Sequence, residues 1–189
     1  MRVAALTLGL LLLGATSVPA DDGLWALLKG GGQIVMFRHA TAPGVFDPPG
    51  MRLDDCATQR NLDEHGREEA RRIGAAFRAR GIPVDRVLSS RWCRCMDTAR
   101  LAFERAEHWE PIDGARPSSD LEARRTAQVR AFVSQPFTGG NVVLVTHNFN
   151  IRALTGLSTI SGEMVVLTPT GSDFKIAGRL APSALTPGS

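Results

Sequence analysis

Lysine is almost absent from this chain of 189 residues: only Lys29 and Lys175 occur, so nearly all of its 22 basic side chains are arginines. A guanidinium is a planar fork that grips a phosphate or carboxylate at two points, where an ammonium acts as a point charge. Net charge is also scarce. The basic residues face 19 acidic ones, a formal +3, too small and too dispersed for a nucleic-acid-binding surface. Cysteine is limited to Cys56, Cys93 and Cys95. Neither Cys93 nor Cys95 begins a Cys-x5-Arg loop, since Arg100 follows them with six and four residues between, which argues against thiol-based phosphate chemistry. A closed zinc site needs about four ligands, and only Cys56 and four scattered histidines could join Cys93 and Cys95. There is no internal repeat, low-complexity linker or second long apolar run. With 43% hydrophobic and 22% charged residues, the composition is that of a globular domain. It excludes a coiled coil, a collagen-like chain and a disordered acidic tail.

The first twenty residues read as an address. Met1-Arg2 is a short basic start, Ala4 to Ala15 is apolar, and Val18-Pro19-Ala20 places small residues before a cleavage point. The apolar run is shorter than the roughly 20 residues of a spanning helix. The sequence therefore predicts a cleaved secretory signal peptide over residues 1–20. A single domain is expected over residues 21–189, exported to the periplasm or secreted, with no stable membrane insertion. In an oxidising compartment three cysteines suggest one disulfide and one leftover thiol.

The remainder alternates strand and helix. Gln33 to Phe37 is a short apolar run after Gly30-Gly31-Gly32, a buried strand. Residues 39–60 read as a long loop. Asn61-x-x-Glu64 has the form of a capping box, and Ala70, Ile73 and Phe77 repeat behind it at helical spacing. Asp85 to Ser89 reads as a second strand, and Ser90 as the cap of a helix from about Trp92 to Ala106. A short strand is expected near Glu110 to Ile112, a helix over Asp120 to Ser134, and a buried strand over Asn141 to Thr146. A helix from about Asn150 follows, then a hairpin of Glu163 to Thr168 and Asp173 to Gly178, then a loose tail over residues 181–189. This alternation predicts a three-layer α/β/α sandwich on a largely parallel sheet. In such sheets the active site lies beyond the carboxyl ends of the strands.

Three strand ends carry the chemistry. Arg38-His39-Ala40 follows the first strand, Ser89 to Arg94 the second, and Thr146-His147-Asn148 the third. Arginines beside two histidines would repel imidazolium unless an anion sat among them. Arginine forks can hold the oxygens of a phosphoryl group. A neutral imidazole nitrogen can attack phosphorus, its other nitrogen holding the proton against a carbonyl. The arrangement requires no metal or cofactor.

These residues resemble the motifs of the histidine phosphatase superfamily, the phosphoglycerate-mutase-like fold. Arg38-His39-Ala40 is similar to its Arg-His-Gly, and Ser90, Arg94 and Thr98 to its Ser-x-x-x-Arg-x-x-x-Thr. Val142 to His147 resembles its strand ending in histidine, and Leu62-x-x-x-Gly66 its Leu-Thr-x-x-Gly. The similarity runs from about Gln33 to Thr168. Ala40 departs from the usual glycine, and Asn148 from the small residue that often follows the second histidine. The short chain and His147-Asn148, in place of His-Asp, fit the compact branch of the family. The resemblance implies that His39 is the nucleophile, that Arg38 and Arg94 bind the phosphoryl group, and that His147 completes the pocket. Asn148 and Arg91 are candidate substrate contacts.

Glu122 is the first choice for general acid, with Asp120, Asp54 and Asp55 as alternatives. The resemblance places Cys95 where the family has a helix-buried alanine, which leaves Cys93 as the partner of Cys56 and Cys95 as the alternative. Trp25 and Trp109 read as packing residues, Trp92 as packing or site wall, and His65 and His108 as surface residues. The function implied is a metal-independent phosphomonoesterase acting on a small phosphorylated substrate, such as a sugar phosphate or an envelope glycolipid phosphate. The alternatives are a catalytically silent anion-binding protein on the same fold, or a metal or thiol-redox protein built on Cys93-x-Cys95.

Overall fold

The computed structural model describes residues 20–114 and 119–185. Its strands are β1 (Ile34–Arg38), β2 (Val84–Ser89), β3 (Glu107–His108), β4 (Asn141–Thr146), β5 (Met164–Pro169) and β6 (Phe174–Leu180). Its helices are α1 (Ala20–Lys29), α2 (Glu64–Ala79), α3 (Cys93–Phe103), α4 (Ser119–Ser134) and α5 (Asn148–Thr155). The strands form one sheet in the order β3-β2-β4-β1-β5-β6. β3, β2, β4 and β1 run parallel. β5 and β6 add antiparallel at the far edge.

Burial on both faces explains the apolar strands. All six residues of β4 are buried, as expected where helices cover both sides of a parallel sheet. Because side chains alternate, Val35, Phe37, Val143 and Val145 pack on one face with Leu24, Trp25 and Leu28 of α1, Ile73 and Phe77 of α2, and Ala99 and Ala102 of α3. Ile34, Met36, Val142 and Leu144 pack on the other with Val129 and Val133 of α4 and Ile151 and Leu154 of α5. Three layers result, with β1 and β4 at the centre. α2 and α3 touch backbone to backbone: a Cβ at Gly74 would lie 1.9 Å from the Ala102 carbonyl oxygen.

The local expectations need several corrections. The cap of α2 is Asp63, whose Oδ1 accepts from Gly66 N at 2.8 Å. Asn61 instead donates to the Cys56 carbonyl. Trp92 occupies the N-cap position of α3 without a side-chain cap bond, and the helix stops at Phe103 because Glu104 turns left-handed at φ 61°. Glu110–Ile112 is a 3-10 turn rather than a strand, and the edge strand is the two-residue β3 just before it. α5 begins at Asn148, directly after the third strand end. The sequence reading passed over α1, although Leu24, Trp25 and Leu28 bury one side of it. In the expected loose tail, Pro182–Leu185 forms a 3-10 turn, and residues 186–189 lie outside the described residues. Of the expected leader, residues 1–19 also lie outside them. Among the described residues no helix is long and apolar enough to cross a membrane.

Candidate active site

The sheet order places β1 beside β4 and β4 beside β2, so the three motif-bearing strand ends are neighbours. Arg38 is the last residue of β1 and His39 follows it. His39 N–H donates to the Thr146 carbonyl at 3.0 Å, and Ser90 N–H to the Val145 carbonyl at 3.0 Å. These bonds extend the ladders one step past the strands and hold both residues at the edge. The His39 and His147 rings meet edge to face, centroids 5.6 Å apart.

His39 is buried and oriented. Its Nδ1–H donates to the Ala40 carbonyl at 2.7 Å, so Nε2 carries the free lone pair. Burial pushes the imidazole down to about 3; the Ala40 carbonyl opposes this, while Arg94, Arg60 and Arg38 reinforce it. The ring is therefore neutral at ordinary pH and able to attack an electrophile. The Ala40 peptide is held at its other end as well, its N–H donating to Thr98 Oγ1 at 3.0 Å. Thr98 Oγ1 in turn donates to the Arg94 carbonyl at 2.7 Å.

Arg38, His39, Asp47, Arg60, Arg94 and His147 line a cavity of about 470 Å³, with Val45, Phe46, Met51, Trp92 and Phe149 supplying apolar wall. Arg94 reaches Asp47 with both terminal nitrogens, NH1 to Oδ1 at 2.8 Å and NH2 to Oδ2 at 3.3 Å. Asp47 also accepts from Arg60 N at 3.0 Å and Trp92 Nε1 at 3.3 Å. Burial alone would raise this carboxyl; the Arg94 fork, the Arg60 amide and the indole outweigh it and hold the group below the usual carboxylate range. Arg60 NH1 is tied to the Ala42 carbonyl at 2.6 Å, and Arg38 NH1 to the Thr159 carbonyl. The Nε–H groups of Arg38, Arg60 and Arg94 are all buried without a hydrogen-bond partner.

His147 closes the site. Ser90 Oγ lies 2.9 Å from its Nε2, Phe149 stacks on the ring at 5.2 Å between centroids, and Cys95 Sγ packs 3.7 Å from Nε2. Burial first, then His39 and the three arginines, hold His147 well below the usual imidazole range. The Cys95 thiol, fully enclosed, is pushed up to about 12, which leaves it an unreactive packing group. Cys56 and Cys93 are disulfide-bonded, their Cα atoms 5.7 Å apart. The bridge ties the long loop to the first residue of α3, next to Arg94.

Of the residues singled out from the sequence, Arg38, His39, Arg94, His147 and Asn148 line the cavity and Arg91 and Glu122 do not. Asn148 Oδ1 accepts from Thr159 N at 2.7 Å, bracing the loop whose carbonyl holds Arg38. Arg91 is exposed, and its amide donates to Asp113 Oδ1 at 2.7 Å. Asp54 and Asp55 sit against Arg52. Asp47 is the one carboxylate among the described residues lining the cavity. Asp47 and Arg60 were missed because they lie in a loop without periodicity. The pointer in sequence was the position of Arg60, just ahead of Leu62-x-x-x-Gly66. That glycine is demanded by packing, since a Cβ there would lie 1.9 Å from the Thr41 carbonyl oxygen. Among the described residues no group of three or more His, Cys, Asp or Glu side chains is placed to hold a metal ion.

The pattern of the histidine phosphatase superfamily (branch 1) matches residues 34–114, the stretch containing Arg38, His39, Ser90, Arg94 and Thr98. Over that stretch the chain is similar to the histidine phosphatase superfamily. The second histidine, His147, lies outside the matched stretch and is brought in by the pairing of β1 with β4. No curated protein sequence matches the chain closely enough to count as a relative. Solved structures do resemble it. A protein of Agrobacterium tumefaciens assigned as the phosphohistidine phosphatase SixA is 25% identical, with TM-score 0.51, covering 80% of this chain and 99% of that one. The phosphoserine phosphatase of Entamoeba histolytica, in complex with 3-phosphoglyceric acid, superposes with TM-score 0.60 at 10% identity, covering 82% and 99%. A mycobacterial glucosyl-3-phosphoglycerate phosphatase in complex with VO3 gives TM-score 0.57 at 18% identity, covering 77% and 97%. The last two speak to the fold.

Proposed function

We propose that this protein is an exported phosphomonoesterase that cleaves its substrate through a phosphohistidine on His39, without a metal ion. One observation carries the reading: three buried guanidinium N–H groups, on Arg38, Arg60 and Arg94, have no acceptor in the protein. Leaving such a donor unpaired costs about 1–3 kcal/mol, and all three arginines line the cavity that holds His39 and His147. Charge agrees. With both histidines neutral, three guanidiniums and the Asp47 carboxylate leave +2, the complement of one phosphate monoester dianion.

The proposed steps use these residues in turn. His39 Nε2 attacks phosphorus, the ester P–O bond breaks, and the arginines stabilise charge on the equatorial oxygens. The Ala40 carbonyl supports the Nδ1–H as the ring becomes positive. Water then attacks the phosphohistidine, the P–N bond breaks, and inorganic phosphate leaves. The substrate is a small phosphorylated compound, with a sugar phosphate or an envelope glycolipid phosphate as the candidate class. Export rests on the leader-like residues 1–20 and agrees with a disulfide beside the site.

The test is hydrolysis of an aryl phosphate in excess EDTA, comparing wild type with His39→Ala. Turnover by the wild type, lost in the variant and accompanied by an acid-labile phosphoprotein, is the expected result. Folded wild type that binds phosphate but turns nothing over would make this an anion-binding protein instead. Processing after Ala20, read by mass spectrometry of protein from the cell envelope, tests export.

A further inference from the structure

We infer that Asp47 is a displaceable occupant of the phosphoryl seat on Arg94 and, once displaced by substrate, the acid that protonates the leaving oxygen. This rests on the phosphatase reading above. The two-point Arg94–Asp47 pair has the geometry by which an arginine binds a phosphoryl group, so the carboxylate and the substrate compete for one fork. No other carboxylate among the described residues lines the cavity, and Glu122 does not reach it. Asp47 is carried by the loop Val45-Phe46-Asp47-Pro48, whose Val45 and Phe46 are 77% and 86% exposed at the cavity wall. The carboxylate is therefore carried by the loop that walls the cavity, rather than by the strand ends that hold His39.

Arrival of a dianion changes the environment of Asp47 in one direction. Arg94 turns its fork to the phosphoryl oxygens, and negative charge appears beside the carboxylate. Both favour uptake of a proton. The carboxylic acid then gives that proton to the ester oxygen as the P–O bond breaks and His39 Nε2 bonds to phosphorus. The resulting carboxylate takes a proton from the water that cleaves the P–N bond. The cycle ends with neutral His39, protonated Asp47, the alcohol and hydrogen phosphate; when phosphate leaves, Asp47 returns its proton to solvent and its carboxylate to Arg94.

Leaving-group dependence distinguishes this role from mere bracing of Arg94. An alkoxide needs the acid, whereas a nitrophenolate hardly does. The experiment measures kcat/KM of the disulfide-bonded protein for glycerol phosphate and for p-nitrophenyl phosphate, as wild type, Asp47→Asn and Asp47→Glu, and the Kd for inorganic phosphate by calorimetry. Asp47→Asn is expected to lose about 10²–10⁴-fold on the alkyl ester, less than tenfold on the aryl ester, and to bind phosphate several-fold more tightly. Asp47→Glu should restore part of the alkyl activity. Equal losses on both esters, or weaker phosphate binding by Asp47→Asn, would overturn the proposal and make Asp47 a positioning residue. Wild type inert toward both esters would instead remove the phosphatase reading, and this one with it.

Discussion

Replacing Thr98 by valine keeps the shape of a fully buried side chain and removes one hydroxyl. That oxygen is the acceptor for the Ala40 amide at 3.0 Å and sits at the hinge between α3 and the loop leaving β1. Ala40 is itself fully buried, so no water replaces the lost acceptor. An orphaned buried amide costs about 1–3 kcal/mol. The Arg94 carbonyl loses only its side-chain donor, a smaller effect in a helix. Thr98→Val should therefore lower unfolding free energy by about 1–3 kcal/mol, read as a shift in urea midpoint at constant m. Thr98→Ser keeps the oxygen and loses a methyl, which costs about 0.5–1.5 kcal/mol by analogy with other single-methyl deletions. The same substitution reaches the chemistry. The Ala40 carbonyl orients His39 through Nδ1, and a peptide released at its N–H holds that carbonyl less firmly, so kcat/KM toward an aryl phosphate should fall roughly tenfold or more. Thr98→Val within about 0.5 kcal/mol of wild type, or Thr98→Ser losing as much activity as Thr98→Val, would refute this chain of reasoning.

Other perturbations separate the remaining ideas. Gly74→Ala must push α2 from the α3 backbone at Ala102; despite the better helix propensity of alanine, it should destabilise by about 1–3 kcal/mol, seen as a lower urea midpoint. Opening the Cys56–Cys93 bridge, which spans 37 residues, should cost about 2–4 kcal/mol and weaken phosphate binding, because the bridge anchors the loop carrying Asp47 and Arg60; dithiothreitol titrations of melting and binding check both. Acid should destabilise the empty protein through His39. Its folded value of about 3 lies below the ordinary 6.5, so the unfolded chain binds the extra proton between these values. Stability from this group is complete above pH 6.5 and falls by about 1.4 kcal/mol per unit as pH drops toward 3. Urea unfolding from pH 7 to 4 should give a slope smaller by that amount in His39→Gln; equal slopes would contradict a neutral, buried His39.

The order of strands and helices was legible because each is specified by local pattern. The all-buried β4 announces itself as an apolar run, and the spacing of Ala70, Ile73 and Phe77 announces α2. The positions of Arg38, His39, Arg94 and His147 could likewise be read, because a parallel sheet delivers its strand ends to one edge. Element boundaries were read less well where one residue decides them: Asp63 rather than Asn61 at the start of α2, and left-handed Glu104 at the end of α3. What the tertiary structure alone decided lies in the loop after β1. Nothing in its prolines, glycines and aspartates tells Asp47 from Asp54 or Asp55. Their roles depend on where the loop folds back, and that is settled by distant partners: the Cys93 bridge, the Arg94 fork, the Trp92 indole and the Ala42 carbonyl that holds Arg60. Glu122 stood at a plausible place in sequence but not at the cavity. Periodicity encodes which way a residue faces within its own element; the meeting of two charges 47 residues apart is encoded only by the packing of the whole chain.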